Sequence, residues 1–170
     1  DPAFAPRLSP RPADDRLFVV QSAGSLATTH EVLDRVERDL AGGGVSLATV
    51  GRLFEAAQYL GRLSRDVAAA HAVALGNAAT ATFILGGQIA GERPEIFLVY
   101  PEGNYIRASN TKPFLQIGET KYGKFWLEFA VRVRADLDVA TKVALGSMLS
   151  TAHANLSVGP PYDLALYRNG

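Results

Sequence analysis

The chain of 170 residues contains 17 basic and 17 acidic residues, so its formal net charge at pH 7 is zero. A balanced charge provides no long-range field that would attract nucleic acid or an anionic membrane surface, and neither is expected as a partner. The sequence has no cysteine, which excludes disulfides, thiol catalysis and thiolate metal sites and is compatible with a cytoplasmic protein.

Residues 1–15 are predicted to form a flexible lead-in. This stretch holds four prolines and scattered charges instead of a basic patch followed by an apolar run, so it does not match a signal peptide. Residues 16–170 suit a single domain with one core. The longest apolar runs in this part are far shorter than the roughly 20 residues of a membrane helix, so no membrane span is expected.

The first predicted elements are a strand and two helices. The run from Leu17 to Gln21 is rich in β-branched and aromatic residues and suits a buried strand. Ser25 or Thr28 can cap the helix that follows, and Thr28 and Glu31 have capping-box spacing. The predicted apolar face of this helix consists of Leu26, Leu33, Val36 and Leu40. Ser46 is predicted to cap a second, longer helix. Its predicted apolar face consists of Val50, Leu53, Phe54, Ala57, Leu60, Val67 and Ala68.

Three antiparallel strands joined by turns are predicted next. They run from Thr80 to Ile89, from Glu95 to Tyr100 and from Tyr105 to Ala108, and segments containing glycine and proline separate them. A short fourth strand or an extended crossing is expected from Phe114 to Ile117.

Two further helices and a closing strand are predicted in the last third of the chain. The first helix carries Phe125, Trp126, Phe129 and Val133 at helical spacing, which predicts that it packs into the core. The second runs from about Leu137 to Ala154, and Asp163 to Tyr167 is the closing strand. Residues of the second helix predicted to face inward are Ala140, Val143, Ala144, Met148 and Thr151. The order of elements predicts an α+β domain whose helices cover the outer faces of two packed sheets.

Several segments resemble the proteasome-type subunits of the N-terminal-nucleophile hydrolase superfamily. Ser22-Ala23-Gly24-Ser25 is similar to the stretch in which an Ala-Gly pair ends a central strand, and the segments 83–89 and 98–104 are similar to the hairpins that follow. Phe114 to Gly123 and Asn155 to Leu164 look like the bacterial proteasome homologue called the ancestral β-subunit. The resemblance covers about Arg16 to Arg168.

The resemblance implies a four-layer αββα sandwich and a threonine-type peptidase. In that family the nucleophile is a Thr or Ser at the mature N-terminus, whose α-amino group takes the hydroxyl proton. A Lys a few dozen residues later lowers the relevant pKa values. This sequence begins with Asp1 and its first Lys is Lys112, so the nucleophile and that Lys are not placed in it, and the front strands of the sandwich are expected to be missing.

The resemblance also implies roles for five residues. The backbone N–H of Gly24 is expected to point at the developing oxyanion. Ser22 and Leu26 are expected to edge the pocket for the substrate residue before the cut. Asn155 and Ser157 lie where the family places groups that support the nucleophile, although Asn155 only partly replaces the usual Asp. Glu119 and Thr120 are interpreted as part of a polar turn without a catalytic role.

Two internal positions superficially resemble processing sites. The segment from Thr80 looks like a mature proteasome N-terminus, but Ala79 instead of Gly precedes it and the resemblance assigns it to a later strand. Gly24-Ser25 is the right dipeptide for self-cleavage, yet Ser25 is better explained as a helix cap. The sequence therefore favours structural roles for both.

No metal or other cofactor is expected. His30, His71 and His153 are widely spread and have no paired acid at ligand spacing. The glycines at 42–44 precede Ser46 at a predicted helix start, but the segment lacks a Lys and a preceding strand, which argues against a phosphate site.

Three hypotheses follow for the function. The first is a proteasome-like peptidase subunit that cleaves peptides or unfolded proteins in a self-compartmentalised assembly. The second is a non-catalytic, assembly-forming proteasome homologue. The third is that an upstream segment, outside this sequence, supplies the nucleophile. All three predict self-association, as a ring or an open helical stack. The unpaired strand edges and exposed apolar faces of such a sandwich are expected to be buried against further copies of the protein.

Overall fold

The computed structural model describes residues 15–132 and 135–168 of the chain. They form two compact units, which we call the N-unit (residues 15–108) and the C-unit (residues 109–132 and 135–168). The expected lead-in up to residue 14 and Val133 of the predicted third helix lie outside the described residues.

A four-stranded antiparallel sheet forms the base of the N-unit. Its strands are β1 (Arg16–Gly24), β2 (Ala81–Ile89), β3 (Glu95–Val99) and β4 (Tyr105–Arg107), and they neighbour each other in chain order. All four strands were predicted, with bounds within one residue except for the end of β1, which extends three residues beyond the apolar run from which it was inferred.

Two helices cover one face of this sheet. They are α1 (Leu26–Gly42) and α2 (Leu53–Leu75), and a 3₁₀ turn, Gly76–Ala79, leads from α2 into β2. Side chains from the sheet, such as Phe18, Phe83 and Phe97, share a buried cluster with residues of both helices. Alternate residues of each strand enter this cluster because strand side chains alternate between the two faces. The core of the N-unit therefore lies between the sheet and the helix pair.

The first helix begins where Ser25 caps it. The N–H of Thr28 donates to Ser25 Oγ at 3.2 Å, which satisfies one of the N–H groups left free at a helix start. Leu33 and Val36 are buried as predicted and Leu40 packs partly against the core, but Leu26 is 65% exposed. Leu26 is the first residue of the helix, and it therefore lies at the margin of the covered face.

The second helix begins later than predicted. Its first residue is Leu53 and its N-cap is Arg52. Ser46 lies in a separate turn, in which its carbonyl accepts from the N–H groups of Thr49 and Val50 at 3.0 and 3.2 Å. The carboxylate of Glu55 accepts from the N–H groups of Gly51 and Arg52, which fixes the later start. The local turn therefore competes successfully with the helix start at Ser46. Phe54, predicted to face the core, is exposed because it lies about 100° around the helix from buried Leu53.

The C-unit contains two packed helices, α3 (Lys124–Arg132) and α4 (Leu137–Ala154). Trp126 lies against Gly146, and its indole N–H donates to Ser150 Oγ at 2.7 Å. The bounds predicted for α4 are confirmed, and Val143 and Thr151 are buried as predicted, whereas Ala140 and Met148 are exposed.

Two sequence expectations for the C-unit are wrong. Phe125, Trp126 and Phe129 were predicted to enter a core, but they are 73%, 40% and 49% exposed. The segment 163–167 was predicted as a strand, but it pairs with no other strand among the described residues. The segment 114–117 was predicted as a short strand or an extended crossing, and it belongs to no strand in the described chain. A strand is held by backbone hydrogen bonds to a neighbouring strand, so an apolar sequence pattern alone does not produce a strand.

The mixed α+β class is confirmed, with one sheet instead of two in the part of the chain that the structure describes. No helix among residues 15–132 and 135–168 combines the length and apolar character that crossing a bilayer requires.

The close approach of α2 to the turn between β3 and β4 yields a stability prediction. Gly61 of α2 is buried, and a Cβ there would collide with the backbone carbonyl of Gly103. Gly61→Ala should lower the free energy of unfolding by about 1–3 kcal/mol, because backbone must move to accept the methyl group. Urea unfolding followed by circular dichroism measures this change.

Gly42→Ala is the matched control for that substitution. Gly42 also belongs to a helix, as the last residue of α1, and a Cβ there would meet nothing within 4 Å. It should leave the free energy of unfolding within about 0.5 kcal/mol of the wild type. Equal stabilities for the two variants would show that the close approach of Gly61 to Gly103 is not a packing constraint.

Candidate active site

The junction between β1 and α1 places Gly24 in a conformation that requires glycine. Its φ is 112°, outside the region that residues with a side chain readily adopt. A Cβ at this position would also lie 2.6 Å from the carbonyl oxygen of Thr80. Both the backbone angle and the available space therefore disfavour any residue with a side chain at the turn from strand to helix.

The backbone N–H of Gly24 is directed away from β2. The N–H of Ser25 donates to the Thr80 carbonyl at 2.9 Å, and the N–H of Ala90 donates to the Asp15 carbonyl at 2.6 Å, so odd-numbered residues of this strand bond to β2. Hydrogen-bonded and non-bonded pairs alternate in an antiparallel ladder, and Gly24 opposite Ala81 is a non-bonded pair. Its N–H faces the outer edge of β1, where the described residues place no further strand.

The two residues expected to edge a substrate pocket lie next to this amide. Ser22 precedes Gly24 by two residues on the same strand face, and Leu26 is the first residue of α1. Both side chains are exposed. Ser22, Gly24 and Leu26 therefore lie within five consecutive positions at the junction of β1 and α1, and all three residues are exposed.

The contacts of Thr28, Ala79 and Thr80 at this junction were not predicted from the sequence. Thr28, noted only for its capping spacing, donates its hydroxyl hydrogen to the Ala79 carbonyl at 2.6 Å, and Thr80 supplies the carbonyl that Ser25 contacts. Ala79 and Thr28 are 51 positions apart in sequence. No spacing rule connects residues that far apart, so the sequence carried no local signal for this contact.

The alternative nucleophile positions have structural roles in the described chain. Ser25 Oγ accepts the hydrogen bond that caps α1, as predicted. Thr80 stands just before β2, and its hydroxyl donates to the Asn77 carbonyl at 2.8 Å.

Asn155 and Ser157 come together in the C-unit, with a partner that the sequence interpretation had assigned to a polar turn. Asn155 Oδ1 accepts from the Ser157 hydroxyl at 2.6 Å and from its N–H at 2.9 Å. Asn155 Nδ2 donates to Glu119 Oε2 at 3.2 Å, and Glu119 Oε1 accepts from the N–H of Lys121 at 3.0 Å. Glu119 therefore supplies a carboxylate to the amide of Asn155.

The side chains with shifted pKa values lie away from Gly24, mainly where α1 meets α2. A hydrogen bond from His71 at 2.8 Å, followed by one from Arg35 at 2.7 Å, lowers the pKa of Glu31. Burial, followed by the hydrogen bond to Asp39 at 2.9 Å, raises the pKa of Tyr59. These contacts tie the two helices together.

Two shallow cavities of about 370 Å³ each lie at the far end of α1 from Gly24. One is lined by Val45, Thr49, Val50, Glu55, Gln58 and Arg62, and the other by the segment around Asp39 and Gly42 together with Val45. The residues that the structure describes contain no group of three or more His, Asp or Glu side chains arranged to hold a metal ion.

Comparison with known proteins identifies relatives among solved structures. No family model matches the sequence, and no curated protein is significantly similar to it. The ancestral β-subunit Anbu from Yersinia bercovieri is 40% identical, with a TM-score of 0.82, over 86% of this chain and 62% of that one. A helical assembly of the Anbu complex from Pseudomonas aeruginosa is 39% identical, with a TM-score of 0.81 and the same coverage. A Gly-1 mutant of Anbu from Hyphomicrobium sp. strain MC1 is 41% identical, with a TM-score of 0.78, over 86% of this chain and 61% of that one. The chain thus spans less than two thirds of the length of these relatives.

The geometry of Gly24 predicts a larger penalty for a side chain there than at another glycine with positive φ. Gly24→Ala should lower the free energy of unfolding by about 2–3 kcal/mol, since it combines an unfavourable φ with the approach to Thr80. Gly43→Ala is the control, because Gly43 has a φ of 70° but open space around it. That variant should lose only about 1 kcal/mol. Equal losses in chemical denaturation would contradict the role assigned to the Thr80 carbonyl.

Proposed function

This chain belongs to the proteasome-type subunits of the N-terminal-nucleophile hydrolase superfamily and is similar to the ancestral β-subunit Anbu, and on that basis we propose that the whole protein hydrolyses peptide bonds. The observation that carries the proposal is that Gly24 is an exposed residue whose N–H is directed to the outer edge of β1. The activity is proposed for the whole protein, since this chain spans 61–62% of the length of these relatives.

In the proposed reaction, Gly24 stabilises the charge that forms when a peptide carbonyl is attacked. Attack by a hydroxyl converts the carbonyl oxygen into an oxyanion, and a preorganised backbone N–H donates to that oxygen without rearrangement. The hydroxyl belongs to an N-terminal Thr or Ser whose α-amino group accepts its proton and later returns it to the leaving amine. No residue of the present sequence is assigned as this nucleophile.

Exposed groups beside Gly24 suit the binding of an extended polypeptide. We propose that Ser22 and Leu26 contact the substrate side chain that precedes the cleaved bond, and that the substrates are peptides or unfolded proteins. The roles of Asn155 and Ser157 in supporting the nucleophile stay predictions. The absence of cysteine is compatible with action in the cytoplasm, where we place the protein.

Self-association is the second part of the proposal. The relative from Pseudomonas aeruginosa forms a helical assembly, and the C-unit of this chain exposes Phe125, Trp126 and Phe129 on α3 and Met148 and Leu149 on α4. Exposed apolar surface of this kind is typical of protein interfaces. We propose that copies of the protein associate through this surface and enclose the active sites.

The first test of the proposal is to identify the mature N-terminus and to assay hydrolysis. Intact-mass and N-terminal analysis of the natural protein should find a first residue that is Thr or Ser, and unfolded polypeptides should be cleaved. Replacement of that residue by Ala should abolish cleavage while leaving the assembly intact, as measured by light scattering. A folded protein that cleaves none of a broad peptide library would favour the non-catalytic, assembly-forming homologue instead.

A charge on α3 should weaken self-association. Phe125 is 73% exposed, and Phe125→Glu should raise the dissociation constant about tenfold or more, because burying an unpaired carboxylate at an interface is costly. Analytical ultracentrifugation over a concentration series measures this shift. Val73→Glu, which adds the same charge at an exposed helical residue of the N-unit, is the control. Unchanged association of the Phe125 variant would exclude α3 as the contact surface.

A further inference from the structure

Two hydrogen bonds connect the start of α1 to the backbone just before β2. The N–H of Ser25 donates to the Thr80 carbonyl at 2.9 Å, and the hydroxyl of Thr28 donates to the Ala79 carbonyl at 2.6 Å. We call this pair of bonds the Thr28 latch. Thr28 is 3% exposed and Ala79 is fully buried, so water cannot readily replace the contact between them.

The Thr28 latch restrains the backbone on the C-terminal side of Gly24, where the sheet provides no restraint. On its N-terminal side, Gly24 is fixed by the ladder that ends with the pair Gly24 and Ala81. On its C-terminal side the chain leaves the sheet. Because Gly24 lacks the Cβ that restricts φ, the peptide units on its two sides could rotate relative to each other without a further restraint. The latch removes this freedom by tying the residues directly after Gly24 to a fixed carbonyl pair.

Both partners of the latch are themselves held in place. Thr28 presents its hydroxyl from the first turn of α1, where its own N–H donates to Ser25 Oγ. On the other side, the N–H and hydroxyl of Thr80 both donate to the Asn77 carbonyl, at 3.2 and 2.8 Å. Rigid groups on both sides are what a preorganised donor needs, because a displacement of about 1 Å can cost about a hundredfold in rate.

The neighbouring residue Thr29 provides an internal comparison. It has the same side chain and the same 3% exposure, yet no side-chain hydrogen bond involves its hydroxyl in the described part of the chain. Only the first of the two adjacent threonines reaches from α1 to the Ala79 carbonyl. The burial of a threonine in this turn is therefore separable from its hydrogen bond.

We propose that Thr28 is a positioning residue whose hydroxyl, through the Ala79 carbonyl, fixes the direction of the Gly24 N–H toward the oxyanion. This inference rests on the proposed peptidase function. Thr28 does not touch the substrate. It acts by holding the β1–α1 junction, so its loss affects the transition state, where the oxyanion forms, more than the binding of the substrate.

The test compares Thr28→Val with Thr29→Val in the full-length protein. Valine keeps the shape of threonine and removes the hydroxyl. Thr28→Val should lower kcat about tenfold or more with KM within about twofold, and the Ser25 amide should exchange with solvent about fivefold to tenfold faster. Thr29→Val should match the wild type in kcat, KM and the exchange rate of this amide.

A second pair of variants keeps the test decisive if Thr28→Val does not fold. Thr28→Ser and Thr28→Ala both lose the methyl group, but only serine keeps the hydroxyl. Thr28→Ser should retain kcat and the slow Ser25 exchange, whereas Thr28→Ala should lose both. Equal values for the serine and alanine variants would overturn the inference.

The outcomes separate this inference from the proposed function. Hydrolysis by the wild type that is unchanged in Thr28→Val overturns the positioning role and leaves the peptidase function standing. A parallel loss in Thr28→Val and Thr29→Val shows a merely structural effect and also overturns it. Absence of hydrolysis by the wild type overturns the proposed function, and this inference with it.

Discussion

The antiparallel ladder between β1 and β2 is the constraint on which the N-unit depends. Its register runs from Arg16 opposite Ile89 to Gly24 opposite Ala81. This register turns Phe18 and Val20 toward the helices and brings Gly24, the only glycine of β1, against the Thr80 carbonyl. A slip of one residue would expose the apolar set and place a side chain at that carbonyl. Core packing and the geometry of the candidate site therefore depend on the same strand pairing.

The chemistry proposed for Gly24 comes from backbone geometry instead of a titratable side chain. An N–H directed to the outer edge of a strand carries a partial positive charge at every pH, and its value to catalysis lies in its fixed direction. The shifted pKa values of Glu31 and Tyr59 belong to contacts between α1 and α2, which stabilise the layer that supports the junction. A search for perturbed ionisable groups alone would have passed over Gly24.

Sequence patterns predicted the N-unit better than the C-unit. Strands β2 to β4 alternate with clear turn residues, and α1 has a strong cap at Ser25, so local rules fixed their bounds closely. The start of α2 was wrong because Ser46 forms its own turn. The aromatic residues of α3 were assigned to a core because periodicity identifies an apolar face without identifying what covers it. The strand predicted at 163–167 has no partner strand in the described chain.

The sequence by itself determined the α+β class and the kinship with proteasome-type subunits, because these rest on local patterns and on motifs that stand contiguously in the chain. It also predicted a role for Gly24 in the candidate site. The tertiary structure alone decided which way the Gly24 amide points and that Thr28 and Glu119 belong to the contacts around the candidate residues. The physical reason is that the contacting groups are far apart in the sequence. The Thr28 hydroxyl meets a carbonyl 51 residues away, and only the folded register of β1 against β2 brings those two atoms within hydrogen-bonding distance.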